Sequence, residues 1–259
     1  MDILDYVLRE MTDTQGGFYA AQDADSEGGE GSFYTWSPKE IKAILGAETA
    51  DLVCQYYQIT ETGNFEGKSI PHRTSSSSVE DPSLQALAAQ IGASETTVAE
   101  VLRSARATLY AEREKRPKPF RDEKIMTSWT SLMIGAFVSG YQVTRDTRYR
   151  TAAVQAADFI LDQLYQDDHL LHTFKDGKGK LTAYLDDTAF FANALMDLYE
   201  ATAENRYLLI AQSLANQLIA HFWDEKNHGF FYTAKHHETL IDRMRPCFDH
   251  SVPSGNAAA

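Results

Sequence analysis

Between Asp122 and Trp223 one helix-turn-helix unit is written twice. With Ala136 placed on Ala194 at a constant offset of about 58 residues, Tyr141 falls on Tyr199, Thr144 on Thr202, Arg148 on Arg206, Tyr149 on Tyr207 and Ala153 on Ala211. In each copy the first helix ends near the Thr, a short polar turn follows, and the second helix begins near the Arg-Tyr pair. Such a hairpin cannot bury its apolar face alone, so successive copies must stack into a solenoid or a closed ring. This register predicts helices over 125–144, 147–165, 187–203 and 205–222.

With 259 residues, 43% apolar and 24% charged, the chain has length and composition enough for a buried core. Its formal net charge of −13 repels phosphate backbones, which argues against nucleic acid as a ligand. Cys54 and Cys247 form no C-x-x-C pair and read as free thiols. No apolar run approaches the ~20 residues of a membrane helix, and the N-terminus lacks a signal-peptide core. The expectation is a cytoplasmic protein without a membrane partner, a metal or a cofactor.

Outside the repeats, residues 2–12 have helical spacing and stop at Gly16-Gly17. Two aromatic runs, Phe18 to Ala21 and Phe33 to Trp36, flank a Gly-rich acidic loop and predict a β-hairpin. That loop, Asp23-x-Asp25-x-Glu27-Gly28, opens like a calcium loop, but its twelfth position is Tyr34 rather than Glu and its flanks are strand-like. Ser37-Pro38-Lys39-Glu40 is a capping-box helix start, followed by helices to about Leu45 and from Glu48 to Tyr57. Ser75 to Ser78 reads as loop, and Pro82 to Ile91 and Ser94 to about Arg116 as two further helices. Residues 37–116 do not share the repeat register and are expected to be a helical insertion. Two more strand pairs are expected, Leu170–Phe174 with Leu181–Tyr184 and Gly229–Thr233 with Thr239–Ile241. The segment Asp249 to Ala259 looks like the entry to a third helix pair.

In a stack of helix hairpins the connections into successive inner helices lie at one end. Asp122-Glu123, Asp186-Asp187 and Asp249 are therefore expected around one mouth, with Trp36, Tyr34, Trp129, Tyr184, Phe231 and Tyr232 nearby. Carboxylates that hold hydroxyls and rings that stack on a pyranose are the chemistry of a sugar site. Two carboxylates also suit a glycosidic bond, whose oxocarbenium-like transition state needs a proton on one side and charge stabilisation on the other. Acids just before a helix equally serve as caps and complement its dipole. Eight histidines are scattered without a metal-ligand spacing, and His228 or His250 is a candidate proton shuttle for epimerisation.

Several of these stretches resemble one family. They are Gly16-Gly17-Phe18-Tyr19 through Asp23-Ala24-Asp25-Ser26-Glu27-Gly28, Phe33-Tyr34-Thr35-Trp36, Asp122-Glu123-Lys124-Ile125 with Trp129, Leu185-Asp186-Asp187, Gly229-Phe230-Phe231 and Pro253-Ser254-Gly255-Asn256. Together they resemble the YyaL-type thioredoxin-domain-containing proteins, also called spermatogenesis-associated protein 20-like. The resemblance implies a mainly α fold, an incomplete (α/α)6 toroid of αα-hairpins with short β-hairpins at one end, similar to N-acylglucosamine 2-epimerase and six-hairpin glycosidases. It also implies that residues 1–259 are part of one toroid domain, and that a thioredoxin-like domain and C-terminal helices of the family are absent. The sequence departs from the family at Thr130 (usually Asn), Asp186 (usually Glu) and Thr188 (often aromatic).

The combined reading is a carbohydrate-active toroid that binds, hydrolyses or epimerises a sugar. Asp186, Asp187 and Asp249 are the catalytic candidates, and Asp23, Asp25, Tyr34, Trp36, Lys124, Trp129, Tyr184, Phe231 and Asn256 the substrate-binding ones. The alternative is a non-catalytic module supporting a thioredoxin-like domain. Apolar faces left uncovered by the missing helices would favour self-association.

Overall fold

The computed structural model describes residues 2–27, 29–73, 83–239 and 241–259. They divide into two compact units, Met1–Ala21 with Arg121–Ala259, and Gln22–Phe120. The second unit is wider than the insertion expected at 37–116. The loop and helix start expected at Ser75–Ser78 and Pro82 lie outside the described residues.

In the first unit, α1 (Asp2–Glu10) and β1 (Tyr19–Gln22) lead to β4 (Arg121–Met126), and the repeats follow as α6 (Thr127–Thr144), α7 (Thr147–Gln163), α8 (Leu185–Thr202) and α9 (Asn205–Gln217). The fold class is the expected one in being mainly α and built of tandem αα-hairpins. The repeat register holds at atomic detail. Arg145 closes α6 in the left-handed region at φ 60°, ψ 18°, and Ala203 closes α8 at φ 59°, ψ 23°, each N–H returning to the carbonyl of the equivalent Tyr141 or Tyr199. Thr144 and Thr202 donate to the carbonyls of Gly140 and Leu198, one turn back in each copy. Tyr149 and Tyr207, the matched aromatics of the second helices, are both fully buried.

Helices α6 and α8 pack side by side as successive inner helices, with α7 and α9 as their outer partners. Between them lies a core of Phe137, Tyr149, Ile160, Phe191, Leu195, Tyr207 and Leu214. Helix α9 passes into a π turn over Leu218–Phe222. A short α10 (Gly255–Ala258), capped by Ser254, starts a third inner position against α8. No helix among the described residues is long and apolar enough to cross a membrane.

The connections carry the strands. β5 (Tyr165–Gln166), β6 (His169–Lys175) and β7 (Lys178–Thr182) form antiparallel pairs, matching the strand pair expected around Asp176-Gly177. β4 pairs with β6 antiparallel, so the sheet runs β1-β4-β6-β5 with β7 on β6. Asp122-Glu123 therefore sits on a strand that feeds α6, and not in a helix-entry turn.

One other expected hairpin does not form. The run Tyr19–Gln22 pairs with β4, not with Phe33–Trp36. Residues 33–36 instead turn tightly, with the N–H groups of Tyr34 and Thr35 both on the Gly31 carbonyl. The acidic loop between them makes its own small hairpin, β2 (Asp25–Ser26) with β3 (Gly29–Glu30). Near the C-terminus, Phe230 bridges to Trp223 and the Tyr232 N–H donates to the Met244 carbonyl, while the partner run expected at Thr239–Ile241 includes Leu240, which lies outside the described residues. The aromatic residues gave strand propensity, but the partner of Tyr19–Gln22 was set by packing about a hundred residues along the chain.

In the second unit, α2 (Pro38–Leu45) starts on the full capping box of Ser37 and Glu40, and packs with α3 (Ala47–Tyr56), α4 (Leu84–Ile91) and α5 (Glu95–Arg113) around Ile41, Val53, Leu87 and Val98.

Candidate active site

The starts of α6, α8 and α10 meet at one end of the first unit, and Asp186 and Asp187 stand in the first turn of α8, where the helix dipole favours negative charge. Asp187 is 1% exposed. Its Oδ1 accepts the Ser128 N–H at the start of α6 at 3.0 Å. Its Oδ2 accepts the Tyr184 N–H at 2.9 Å and faces His172 Nδ1 at 2.7 Å. A carboxylate can only accept, so His172 Nδ1 carries the hydrogen. Asp187 thus caps its own helix, ties α8 to α6 and orients an imidazole.

Asp186 is in the opposite condition. Its Oδ1 is buried and has no hydrogen-bond partner among the described residues. A Cβ on Gly255 would overlap that oxygen and come within 2.7 Å of Leu185 Cγ, so only glycine lets α10 approach the carboxylate this closely. Burial pushes the Asp186 carboxyl up, the Asp187 charge pushes it further, and the nearby Gly255 amide and His172 oppose the shift. His172 moves up as well, first through its hydrogen bond to Asp187, against the cost of burial. One aspartate has a buried oxygen without a hydrogen-bond partner among the described residues, while the next favours the charged form of an imidazole: unlike environments for neighbouring aspartates.

His172 was not among the residues singled out from sequence. The signal was present in the period of β6: His172 shares a face with Leu170 and Phe174, both buried, so a polar ring stands where an apolar one is expected. Such a residue needs an internal partner, which Asp187 supplies.

The other candidates separate clearly. Trp129, next to Ser128 on the first turn of α6, is 45% exposed and presents an indole at this end of the unit. Tyr184 stacks on Tyr232 at 4.9 Å, meets His172 edge-on at 5.0 Å and contacts His237 at 5.2 Å, so its ring packs the wall behind the carboxylates. Asp249 is exposed and its Oδ1 accepts the Ser254 N–H, which shapes the loop before α10. Asn256 clamps backbone: it accepts from Phe230 N–H and donates to the carbonyls of Phe230 and Pro246. The Phe231 ring lies under the Arg243 guanidinium at 4.1 Å. Lys124 pairs with Asp122 at 3.2 Å. His228 lies against Trp223, and His250 is exposed.

Four candidates belong to the second unit. Trp36 is 5% exposed, packs in that unit's core, and carries the Arg116 guanidinium over its ring at 3.9 Å. Arg116 also donates to the carbonyls of Ser32, Phe33 and Thr35. Tyr34 donates to Gln22 Oε1, and Asp23 Oδ1 accepts the Asp25 N–H at the head of the small β2–β3 hairpin. Trp36 thus has a buried ring face in place of the open platform a stacked sugar needs.

Residues 95–233, more than half of the chain, match the model of glycosyl hydrolase family 76. The chain belongs to this family. Over its full length it is 31% identical to uncharacterized protein B0495.5 of Caenorhabditis elegans, of which it covers 38%. It is 30% identical to spermatogenesis-associated protein 20 of Homo sapiens, with 99% of the chain and 36% of that protein covered. The chain therefore spans a little over a third of the length of these relatives, which agree with the resemblance seen in the motifs. Among solved structures, cellobiose 2-epimerase from Bacillus thermoamylovorans B4167 aligns with 93% of this chain and 61% of its own, at 10% identity and a TM-score of 0.45.

Proposed function

We propose that the corner at the start of α8 binds a sugar and cleaves its glycosidic bond, with Asp186 as the carboxylate that meets the anomeric carbon. The observation that carries this is the buried Asp186 Oδ1, which has no hydrogen-bond partner among the described residues, beside an aspartate whose oxygens are both engaged. A carboxylate short of solvation is a strong nucleophile and a strong electrostatic partner for an oxocarbenium-like centre. Membership of a glycosyl hydrolase family supports hydrolysis as the reaction class, and the exposed Trp129 ring offers an apolar platform for a pyranose. Asp187 serves as support, because a residue this enclosed and this fully bonded does not reach a substrate.

Epimerisation is the second reading, and the imidazole beside Asp186 is what favours it, since proton transfer at a sugar carbon needs such a base. One experiment separates the readings. The chain is incubated with a panel of oligosaccharides in D2O, reducing ends are quantified, and exchange at C2 is followed by NMR. Hydrolysis predicts reducing ends that vanish in Asp186→Asn and fall in Trp129→Ala. C2 exchange without cleavage selects the epimerase, and inertness towards every sugar selects the non-catalytic module serving a thioredoxin-like domain in a longer cytoplasmic protein.

A further inference from the structure

We propose that His237 is an acid-sensitive latch: as a neutral ring it pins the turn at residues 234–238 to β7 and to Tyr184, and a second proton on the ring releases that turn. The cluster that holds it lies outside the aspartate pair, and the latch is independent of the reaction assigned there.

Hydrogen-bond geometry fixes the tautomer. The Ala234 N–H donates to His237 Nδ1 at 3.0 Å. A backbone amide can only donate, so Nδ1 is bare and the single ring hydrogen is on Nε2, which faces the Thr182 carbonyl at the end of β7 at 3.4 Å. The His237 N–H returns to the Ala234 carbonyl at 3.2 Å and closes the turn on itself. The ring also lies 5.2 Å from Tyr184, which in turn stacks on Tyr232 at 4.9 Å. One neutral imidazole thus joins the turn, the end of β7 and the residue that starts α8.

A second proton is incompatible with this arrangement. It must go on Nδ1, where it meets the Ala234 N–H, and Ala234 is only 3% exposed, so its amide has no water to turn to while the turn stays closed. Opening the turn lets water serve both donors. The surroundings add to the strain of acid. His236 stacks on His237 at 5.6 Å and meets His221 of the π turn at 5.2 Å and His169 of β6 at 5.8 Å, and imidazoles that gain protons this close together repel one another. Among the described residues no three such groups are placed to hold a metal ion. Burial, and then His221, His237 and His169, hold His236 below its ordinary value, so its support for the closed turn is complete above about pH 6.5 and is lost as pH falls. The cations beside the cluster are Lys235, which donates to the Ala220 carbonyl, and Arg243, which donates to the carbonyls of His221 and Thr233. Glu238 on the turn is exposed, Asp224 is held by Arg245 and Asn227, and beyond Tyr184 the Asp187 carboxylate is bonded to His172.

The test follows amide exchange in the intact chain by ¹⁵N NMR from pH 8 to pH 5 with a chelator present, each rate being divided by the intrinsic rate of an unfolded amide at that pH. Protection of the Ala234 N–H is expected to fall about tenfold or more below pH 6, while that of Leu195 and Tyr207 in the core stays constant. His237→Gln, whose side-chain oxygen takes the same N–H and does not titrate, is expected to keep Ala234 protected throughout, and His250→Gln to behave as the wild type. Long-range ¹⁵N correlation on the wild type at pH 8 reads the tautomer without any variant, so the latch stays testable if His237→Gln does not fold. A His237 hydrogen on Nδ1 at pH 8 overturns the latch, as does Ala234 protection that ignores pH in the wild type. A fall that persists unchanged in His237→Gln, or one shared by Leu195 and Tyr207, overturns it too.

Discussion

Replacing Asp187 by Asn keeps the shape of the side chain but changes one acceptor into a donor, at a position with no solvent to absorb the error. If the amide oxygen stays towards Ser128 N–H, the new NH2 faces both Tyr184 N–H and His172 Nδ1, the two donors now shared by Oδ2. His172 can escape by switching tautomer, but the Tyr184 N–H cannot. If the amide flips, Ser128 loses its partner instead. One buried backbone donor is orphaned in either case at a cost of about 1–3 kcal/mol, and the charge-assisted bond to His172 is lost with it, so about 2–4 kcal/mol in total is expected. The loss depends on pH. The folded-state pKa of His172 lies above its unfolded value, so the contribution of the pair is complete below about pH 6.5 and fades as pH rises through the folded pKa. Urea unfolding of the wild type and Asp187→Asn, followed by tryptophan fluorescence at pH 6 and pH 9, should show the larger difference at pH 6. A difference below about 1 kcal/mol at pH 6, or one that grows towards pH 9, would refute the view that Asp187 holds this corner together.

Ala203 closes α8 in the left-handed region, where its Cβ is unfavourable, so Ala203→Gly should raise stability by about 0.5–1 kcal/mol in urea unfolding, whereas Ala203→Val should lower it. Burial, with help from Asp51 and Glu61, pushes the Cys54 thiol up to about 11, while Cys247 is exposed. An aromatic disulfide reagent at pH 8 should therefore label Cys247 rapidly and Cys54 only on unfolding, and equal rates in the native chain would contradict that burial.

What the amino-acid sequence determined by itself is whatever repeats or acts over a few residues. The 58-residue register, the matched helix ends near Thr144 and Thr202, the capping box at Ser37–Glu40 and the hairpin around Asp176-Gly177 were all legible, because each depends on neighbours within a turn or two. The gathering of helix starts followed from the same repetition. Partner choice was not legible. Phe18 to Ala21 and Phe33 to Trp36 look like two halves of one hairpin, yet β1 pairs with a strand about a hundred residues away, since strand propensity says that a segment will pair and not with what. The division of labour between Asp186 and Asp187 was equally hidden. Adjacent and chemically identical, they differ only because one side chain turns into Ser128, Tyr184 and His172 while the other has one oxygen buried against Gly255. Solvation and hydrogen-bond partners decide what a carboxylate can do, and both are properties of the packed chain rather than of the residue.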